Sequence, residues 1–287
     1  MYDRLLVPTD GSGPANAALE LAGRIASPTA TLHVLVVTGA EDDCDGGPRD
    51  ASERTVDELL DDARETVTAD VEAVITEERR GDPGERILEY VEAADIEIVV
   101  VGAHGRRVAD PVVLGRVTEG VVRDAPVPVL VARASDDIRT LYPFERVLVP
   151  TDGSDHARAA LDLGIELAAE TGATLHLLSV VDATGYGTGS ESAALIDRLE
   201  ENATRELEAA AERAATDGGV DVRTTVVRGS VHRAISAYAE ANDVDLLVMG
   251  THGRSDDGEL PGSVTERVLR TAPAPVLTVR VRETNGS

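Results

Sequence analysis

The residue types able to do chemistry recur in pairs along this chain. Pro8, Thr9 and Asp10 close the run "RLLVPTDGS" (4–12), and Pro150, Thr151 and Asp152 close "RVLVPTDGS" (146–154). Gly102, His104, Gly105 and Arg106 end "VVVGAHGR" (99–106), and Gly250, His252, Gly253 and Arg254 end "LVMGTHGR" (247–254). Such residues suit a binding crevice better than bond-making. Neither His104 nor His252 has an acid or a nucleophile at a telling spacing, so both read as loop braces. His33 and His176 lie within apolar runs and read as partly buried core residues, while His156 and His232 stand alone. Six histidines without an H-x3-H pair argue against a metal site. The single cysteine, Cys44, forbids an internal disulfide, and its neighbours Glu41, Asp42, Asp43 and Asp45 oppose a thiolate. A Walker A loop needs a lysine, and all 27 basic residues are arginine. "GSGPAN" (11–16) has Asn16 where a dinucleotide fingerprint needs its last glycine, and "GSDHAR" (153–158) lacks the pattern. Asp10 and Asp152 could each simply brace a turn. Their repetition within one phrase favours a site role.

All these residues follow apolar runs, which fixes the elements that must position them. In the first half the patterning predicts strands at Arg4–Pro8, Thr31–Val37, Val71–Glu77, Ile96–Val101 and Val127–Val131. The third of these alternates in the manner of an edge. Helical spacing predicts helices at Asn16–Ile25, Ser52–Thr68, Gly84–Ala94 and Arg116–Arg123, the second being acidic enough to read as a solvated face. Strands alternating with helices, in near-continuous Val/Ile/Leu runs, imply a parallel α/β sheet covered on both faces. Ligands of such sheets bind beyond the carboxyl ends of the strands. The loops "PTDGS", "VVTGA" (or "VVDAT") and "GAHGR" (or "GTHGR") all lie there and can converge.

The second half repeats the first. "ATLHVLVV" (30–37) answers "ATLHLLSVVD" (173–182), and "VTEGVVRDAPVPVLVAR" (117–133) answers "VTERVLRTAPAPVLTVR" (264–280). Solenoid repeats run roughly 20–50 residues, far less than this spacing. Two complete domains are expected, at 1–134 and 145–283, joined by a polar linker at 135–144.

The strand ending in PTDGS, the HVLVV-type second strand, G-x-H-G-R, a later glycine before V-T-E, and A-P-x-P-V-L together resemble the universal stress protein (UspA-like) family. The match covers both halves, so a tandem member is implied. The resemblance implies a flavodoxin-like sheet of strand order 3-2-1-4-5 in each half, the two forming an intramolecular pseudo-dimer. It also implies that many members bind ATP through G-x2-G-x9-G-(S/T), while others have lost that ability. By this similarity the nucleotide contacts are Pro8, Thr9, Asp10, Val36, Val101, Gly102, His104, Gly105, Arg106, Gly115, Arg116, Val117 and Thr118 in the first half. In the second they are Pro150, Thr151, Asp152, Val180, Met249, Gly250, Gly253, Arg254, Gly262, Ser263, Val264 and Thr265. The aspartates fall near ribose or adenine, and Val36 or Val180 offers backbone to the base. Glycines in such a motif admit positive φ and let amide N–H groups approach phosphate, with Mg carried on the phosphates.

Each half departs from that motif differently. The first keeps the spacing Gly102-x2-Gly105-x9-Gly115 but has Arg116 at the hydroxyl position. Arginine there supplies a charge-assisted contact or fills the pocket. The second reads Gly250-x2-Gly253-x8-Gly262-Ser263, with the hydroxyl present and the loop one residue short. Arg106, Arg107 and Arg116 outweigh Asp110 in the first loop, whereas Asp256, Asp257 and Glu259 outweigh Arg254 in the second. ATP is therefore expected at the first half in preference.

Composition limits the partners. Net charge is −26, from 53 acidic and 27 basic residues, which disfavours nucleic acid and anionic membranes. Excess carboxylate without lysine resembles proteins of salt-loving organisms, where a Debye length of about 3 Å at molar salt screens self-repulsion. No apolar run approaches the ~20 residues of a bilayer span, and no leader is visible at "MYDRLLVPTD", so a cytoplasmic address is expected. The last strands open with paired prolines, as edges do. In the family this strand mediates dimerisation, implying pairing of Val127–Val131 with Pro275–Val279 inside one chain. A homodimer of tandem chains stays open. Three functions compete: an ATP-binding regulatory module, a nucleotide-free dimeric scaffold, and a slow ATPase of the wider α-hydrolase-like group.

Overall fold

Leu5, Leu6 and Val7 are each fully buried, because strand β1 (Tyr2–Pro8) lies in the middle of a sheet with helices on both faces. A computed structural model of the chain describes residues 2–39, 55–67, 71–105, 113–133, 142–183, 190–253 and 262–281, with backbone alone at 190–192, 217 and 263. The chain divides into two compact units, Met1–Tyr142 and Pro143–Ser287. The linker expected at 135–144 falls mostly outside the described residues.

In the first unit β1 leads to α1 (Gly13–Ile25), β2 (Ala26–Thr38), α2 (Val56–Thr66), β3 (Ala73–Arg80), α3 (Pro83–Ala93), β4 (Ile98–Gly102), α4 (Arg116–Asp124) and β5 (Val129–Ala132). The strands are parallel in the order β3-β2-β1-β4-β5. The second unit repeats the plan with β6 (Arg146–Pro150), α5 (Asp155–Thr171), β7 (Thr174–Val181), α6 (Ser190–Gly218), β8 (Val222–Arg228), α7 (Val231–Ala241), β9 (Leu246–Gly250), α8 (Ser263–Thr271) and β10 (Val276–Val279). Its order, β8-β7-β6-β9-β10, is the same arrangement. Each unit is thus the parallel sheet that the alternation implied, in the flavodoxin-like order that the family resemblance implied. Its chain reverses direction across the sheet between the first and fourth strands, where a crevice opens.

Local chemistry sets most boundaries. The Ser12 hydroxyl accepts from Ala15 N at 3.3 Å, and Ser154 accepts from Ala157 N at 3.2 Å, starting α1 and α5 directly after the first strands. Thr55 and Glu58 form a capping box at α2, and Asp82 caps α3. The two long first helices end differently. In α5, Gly172 turns left-handed (φ +74°) to close the last turn. In α1, Pro28 forbids that extra turn, because it has no N–H and forces the preceding residue to extend. The chain passes straight into β2, five residues earlier than Thr31. There Ser27 and Thr29 hydroxyls bond the Asp3 carboxylate, and the register with β1 jumps between Tyr2 and Arg4.

A histidine on the second strand of each unit meets a tyrosine from the third helix. His33 Nδ1 lies 2.9 Å from Tyr90 Oη, and His176 Nδ1 lies 3.0 Å from Tyr238 Oη. Both rings are buried and meet the tyrosines edge-on. Burial, before the nearby Arg4 in one case and Arg223 and Arg146 in the other, holds both imidazoles below their ordinary pKa. They are core histidines, as their place within strands implied.

Candidate nucleotide crevice

Register brings the two signature loops level. Leu6 pairs with Val99 and Leu148 with Leu247, so β1 and β4, like β6 and β9, end side by side at the crevice. Beyond β1, Thr9 N donates to Leu35 O, tying the PTD turn to β2; Thr151 N donates to Leu178 O in the second unit. The Thr9 hydroxyl accepts from Gly11 N at 3.1 Å, and Asp10 Oδ1 accepts from Ser12 N at 3.0 Å. Thr151 and Asp152 make the equivalent bonds at 3.2 and 3.0 Å. Gly11 (φ +73°) and Gly153 (φ +74°) take the left-handed backbone this turn requires. One oxygen of each aspartate is therefore spent on the turn.

The other oxygen faces the glycine loop. A Cβ on Gly105 would lie 2.6 Å from Asp10 Oδ2, and one on Gly253 would lie 2.9 Å from Asp152 Oδ2. These two glycines keep the loop close to the aspartate. Gly102 and Gly250 have another duty. Their missing side chains let the fourth strand touch the first helix: added Cβ atoms would come within 2.7 Å of Pro14 C and 2.6 Å of His156 Cβ. Left-handed backbone, expected of the motif glycines, is absent from Gly102, Gly105, Gly115, Gly250, Gly253 and Gly262. Tight packing at the strand end and against the aspartate, not unusual φ, is what excludes a side chain at Gly102, Gly105, Gly250 and Gly253.

The loop ends are clasped identically despite the length difference. Ala103 N donates to Ala132 O and Gly115 N to Ala103 O; Thr251 N donates to Val279 O and Gly262 N to Thr251 O. The buried Thr118 hydroxyl donates to Gly102 O at 2.7 Å, and Thr265 donates to Gly250 O at 2.9 Å. The anchor points are unchanged although the second loop is one residue shorter in sequence. Thr118 and Thr265 are thus braces under the loop.

Helix α4 begins at Arg116 with Gly115 as its cap, and α8 begins at Ser263 with Gly262 as its cap; neither has a side-chain cap bond. Helices α1, α2, α3 and α5 all have one. The first N–H groups of α4 and α8 therefore lack a side-chain cap where the dipole's positive end adjoins the glycine loop, and α7, after Ser230, also starts without one. Arg116 is exposed and has no ion-pair partner among the described residues. A cation at a helix N-terminus is unfavourable by itself and favourable only beside an anion.

Of the remaining expected contacts, Val36, Val101 and Met249 are buried and Val180 is half-buried, while Val117 is exposed. Pro8, Pro150, His104 and Val264 are half-buried. Arg106 and Arg254 lie outside the described residues, as does the Ser263 side chain. Among the described residues no cluster of three or more His, Cys, Asp or Glu could hold a metal. The cap serines had no assigned role in the sequence, and His156, read there as standing alone, lies beside His252 with ring centroids 5.1 Å apart. The mismatch of "GSGPAN" with "GSDHAR" was the available signal, since it sets His156 opposite Pro14.

Comparison with known proteins now adds to this geometry. The model described as the universal stress protein family matches residues 1–133 and again 143–280. The chain belongs to the universal stress protein family. As a tandem member, it is 34% identical over 140 residues to universal stress protein MJ0531 of Methanocaldococcus jannaschii, covering 48% of this chain and 82% of that one. A crystal structure of a universal stress protein from Archaeoglobus fulgidus covers 97% of this chain and 96% of its own at 25% identity, with a TM-score of 0.69. A universal stress protein solved in complex with cAMP is 30% identical, covering 47% of this chain and 96% of its own, with a TM-score of 0.39.

Proposed function

We propose that this tandem universal stress protein is an adenine-nucleotide-binding regulatory module, with ATP held at the first unit in preference. The observation that carries this reading is the open start of α4. N–H groups without a side-chain cap and an exposed Arg116 with no ion-pair partner among the described residues adjoin a loop whose Gly105 leaves no room for a side chain beside Asp10. The residues fit a phosphate chain: the amides donate, Arg116 supplies charge, and Asp10 and Thr9 shape the ribose side. Bound nucleotide would bring Mg on its phosphates and would bias conformation or partner choice. We take any hydrolysis to be slow, since the sequence sets no acid or nucleophile at a telling spacing from His104 or His252.

The domains run 1–134 and 145–283, with the linker between them. Val129–Ala132 and Val276–Val279 are each the last strand of their own unit's sheet and open after paired prolines. We take Val127–Val131 and Pro275–Val279 as the surfaces that pair the units, at the high effective concentration of a linked dimer. A homodimer of whole chains could build on that. A net charge of −26 keeps nucleic acid and anionic membranes from being partners. No described helix is long and apolar enough to cross a membrane, and we place the protein in a salt-rich cytoplasm.

Calorimetry with ATP, ADP, AMP and cAMP in molar KCl tests the reading. ATP is expected to bind, with Gly105→Val and Arg116→Ala each weakening it by about tenfold or more, about 1.4 kcal/mol. Gly253→Val should cost less. Equal losses from the two glycine changes would remove the preference for the first unit, and absence of heat with every nucleotide would leave the scaffold reading.

A further inference from the structure

The second crevice contains a feature the first lacks. His156, in the first turn of α5, stands where the first unit has Pro14, and its ring centroid lies 5.1 Å from that of His252 in the glycine loop. The backbone and Cβ of His156 are pressed against Gly250 at the end of β9, which fixes where its side chain starts. His252 is only 7% exposed. Its Nδ1 meets the Thr251 hydroxyl at 3.0 Å, and its buried Nε2 has no hydrogen-bond partner among the described residues. A buried, unmatched nitrogen is costly and calls for a partner. His104, the counterpart in the first unit, is half-buried and has no second imidazole beside it.

We propose that the second unit binds a phosphate-bearing ligand together with a proton taken up by the His156–His252 pair. This deepens the nucleotide reading above and rests on it for the identity of the ligand. The charged groups around the pair explain why the proton waits for the ligand. Burial first, then the neighbouring His252 and Arg280 beyond β10, oppose a charge on His156, while Asp155 and Asp152 favour it. Burial outweighs them and keeps the His156 imidazole below its ordinary pKa, so this ring is neutral near pH 7 and adds no attraction. An arriving phosphate reverses the balance by adding negative charge near two imidazoles. By linkage, uptake of one proton makes affinity rise as pH falls, by up to about tenfold per pH unit within the histidine range of about pH 8 to 5. The first unit, which uses Arg116, has a charge that does not titrate in that range.

The test is performed on the full chain in molar KCl. Imidazole C2–H resonances are titrated with and without saturating ATP. Proton uptake on binding is measured by calorimetry in two buffers of different ionisation enthalpy. ATP should move the titrations of His156 and His252 to higher pH. His156→Pro, which installs the first unit's residue, should lower the proton uptake by about one while leaving the Gly105-sensitive binding event in place; His156→Gln serves if the proline variant does not fold. Because ATP's own phosphate titrates alike in every variant, the difference isolates the pair. Unmoved histidine titrations, or equal proton uptake in the variant, would overturn the proposal and leave nucleotide binding at the first unit standing. If the chain binds no nucleotide, inorganic tripolyphosphate replaces it: a response of the pair retains a proton-coupled anion site and discards the nucleotide, and no response discards both.

Discussion

At the start of its first helix the leading unit has Pro14 where the trailing unit has His156, and the helix after the glycine loop begins with Arg116 in one and Ser263 in the other. Beneath those differences the bonds that hold the turn and the loop ends correspond. Thr9 and Thr151, Asp10 and Asp152, and Thr118 and Thr265 each make the same bond in both units. The scaffold of the crevice is held by backbone and hydroxyl groups that packing fixes. Its charge is set by side chains that packing leaves free to vary. Two crevices of one plan can therefore present different charge.

The comparison can be broken first at the glycines that both units use for packing. Gly102→Val and Gly250→Val each drive a side chain into the backbone of the first helix, and each should cost about 3 kcal/mol, the upper end of ordinary overpacking. Denaturant unfolding at constant KCl measures this; a loss confined to one unit would mean that the shared scaffold is not shared energetically. Smaller and unequal effects are expected where the units end their first helix differently. Gly172→Ala should cost about 1 kcal/mol, because its left-handed backbone disfavours a side chain even in open space. Pro28→Ala should be far milder, since it removes a stop signal rather than a required conformation.

The hydroxyl braces come next. Thr118→Val and Thr265→Val should each cost about 1 kcal/mol through the lost bond to a glycine carbonyl. If ATP affinity falls with Thr118→Val and not with Thr265→Val, the first crevice is sharpened as the nucleotide site. The smallest effect concerns pH. The folded pKa values of His33 and His176 lie below the unfolded value of about 6.5, so their contribution is full above that pH and is lost as pH falls. Unfolding free energy should decline below about pH 6.5, with a shallower slope in the His33→Gln/His176→Gln double variant. An unchanged slope would show that these buried rings are not charged on unfolding.

Much of this was legible in the order of residues. Near-continuous apolar runs such as Leu5–Val7 and Ile98–Val101 could only be buried strands, and their alternation with helical spacing required a parallel sheet. Boundaries were less legible where a turn depends on distant groups. Thr31 is where the strand pattern begins, yet β2 starts at Ala26, because Pro28 stops the helix and Asp3 of another strand accepts the serine and threonine hydroxyls. The glycine spacing was visible, but its physical meaning was not. Only the approach of Asp10 and of the first helix shows what a side chain would strike.

By itself the sequence determined the two-fold repetition, the sheet class, the acidic surface and the absence of lysine chemistry, because these follow from composition and local period. Tertiary structure decided which partners each polar group has. It set one oxygen of Asp10 on its own turn and the other toward Gly105, joined Thr118 to Gly102, and brought His156 beside His252 across nearly a hundred residues of chain. The reason is that period and composition act between neighbours in sequence, whereas hydrogen-bond partners, burial and the charge felt by an imidazole are set by neighbours in space.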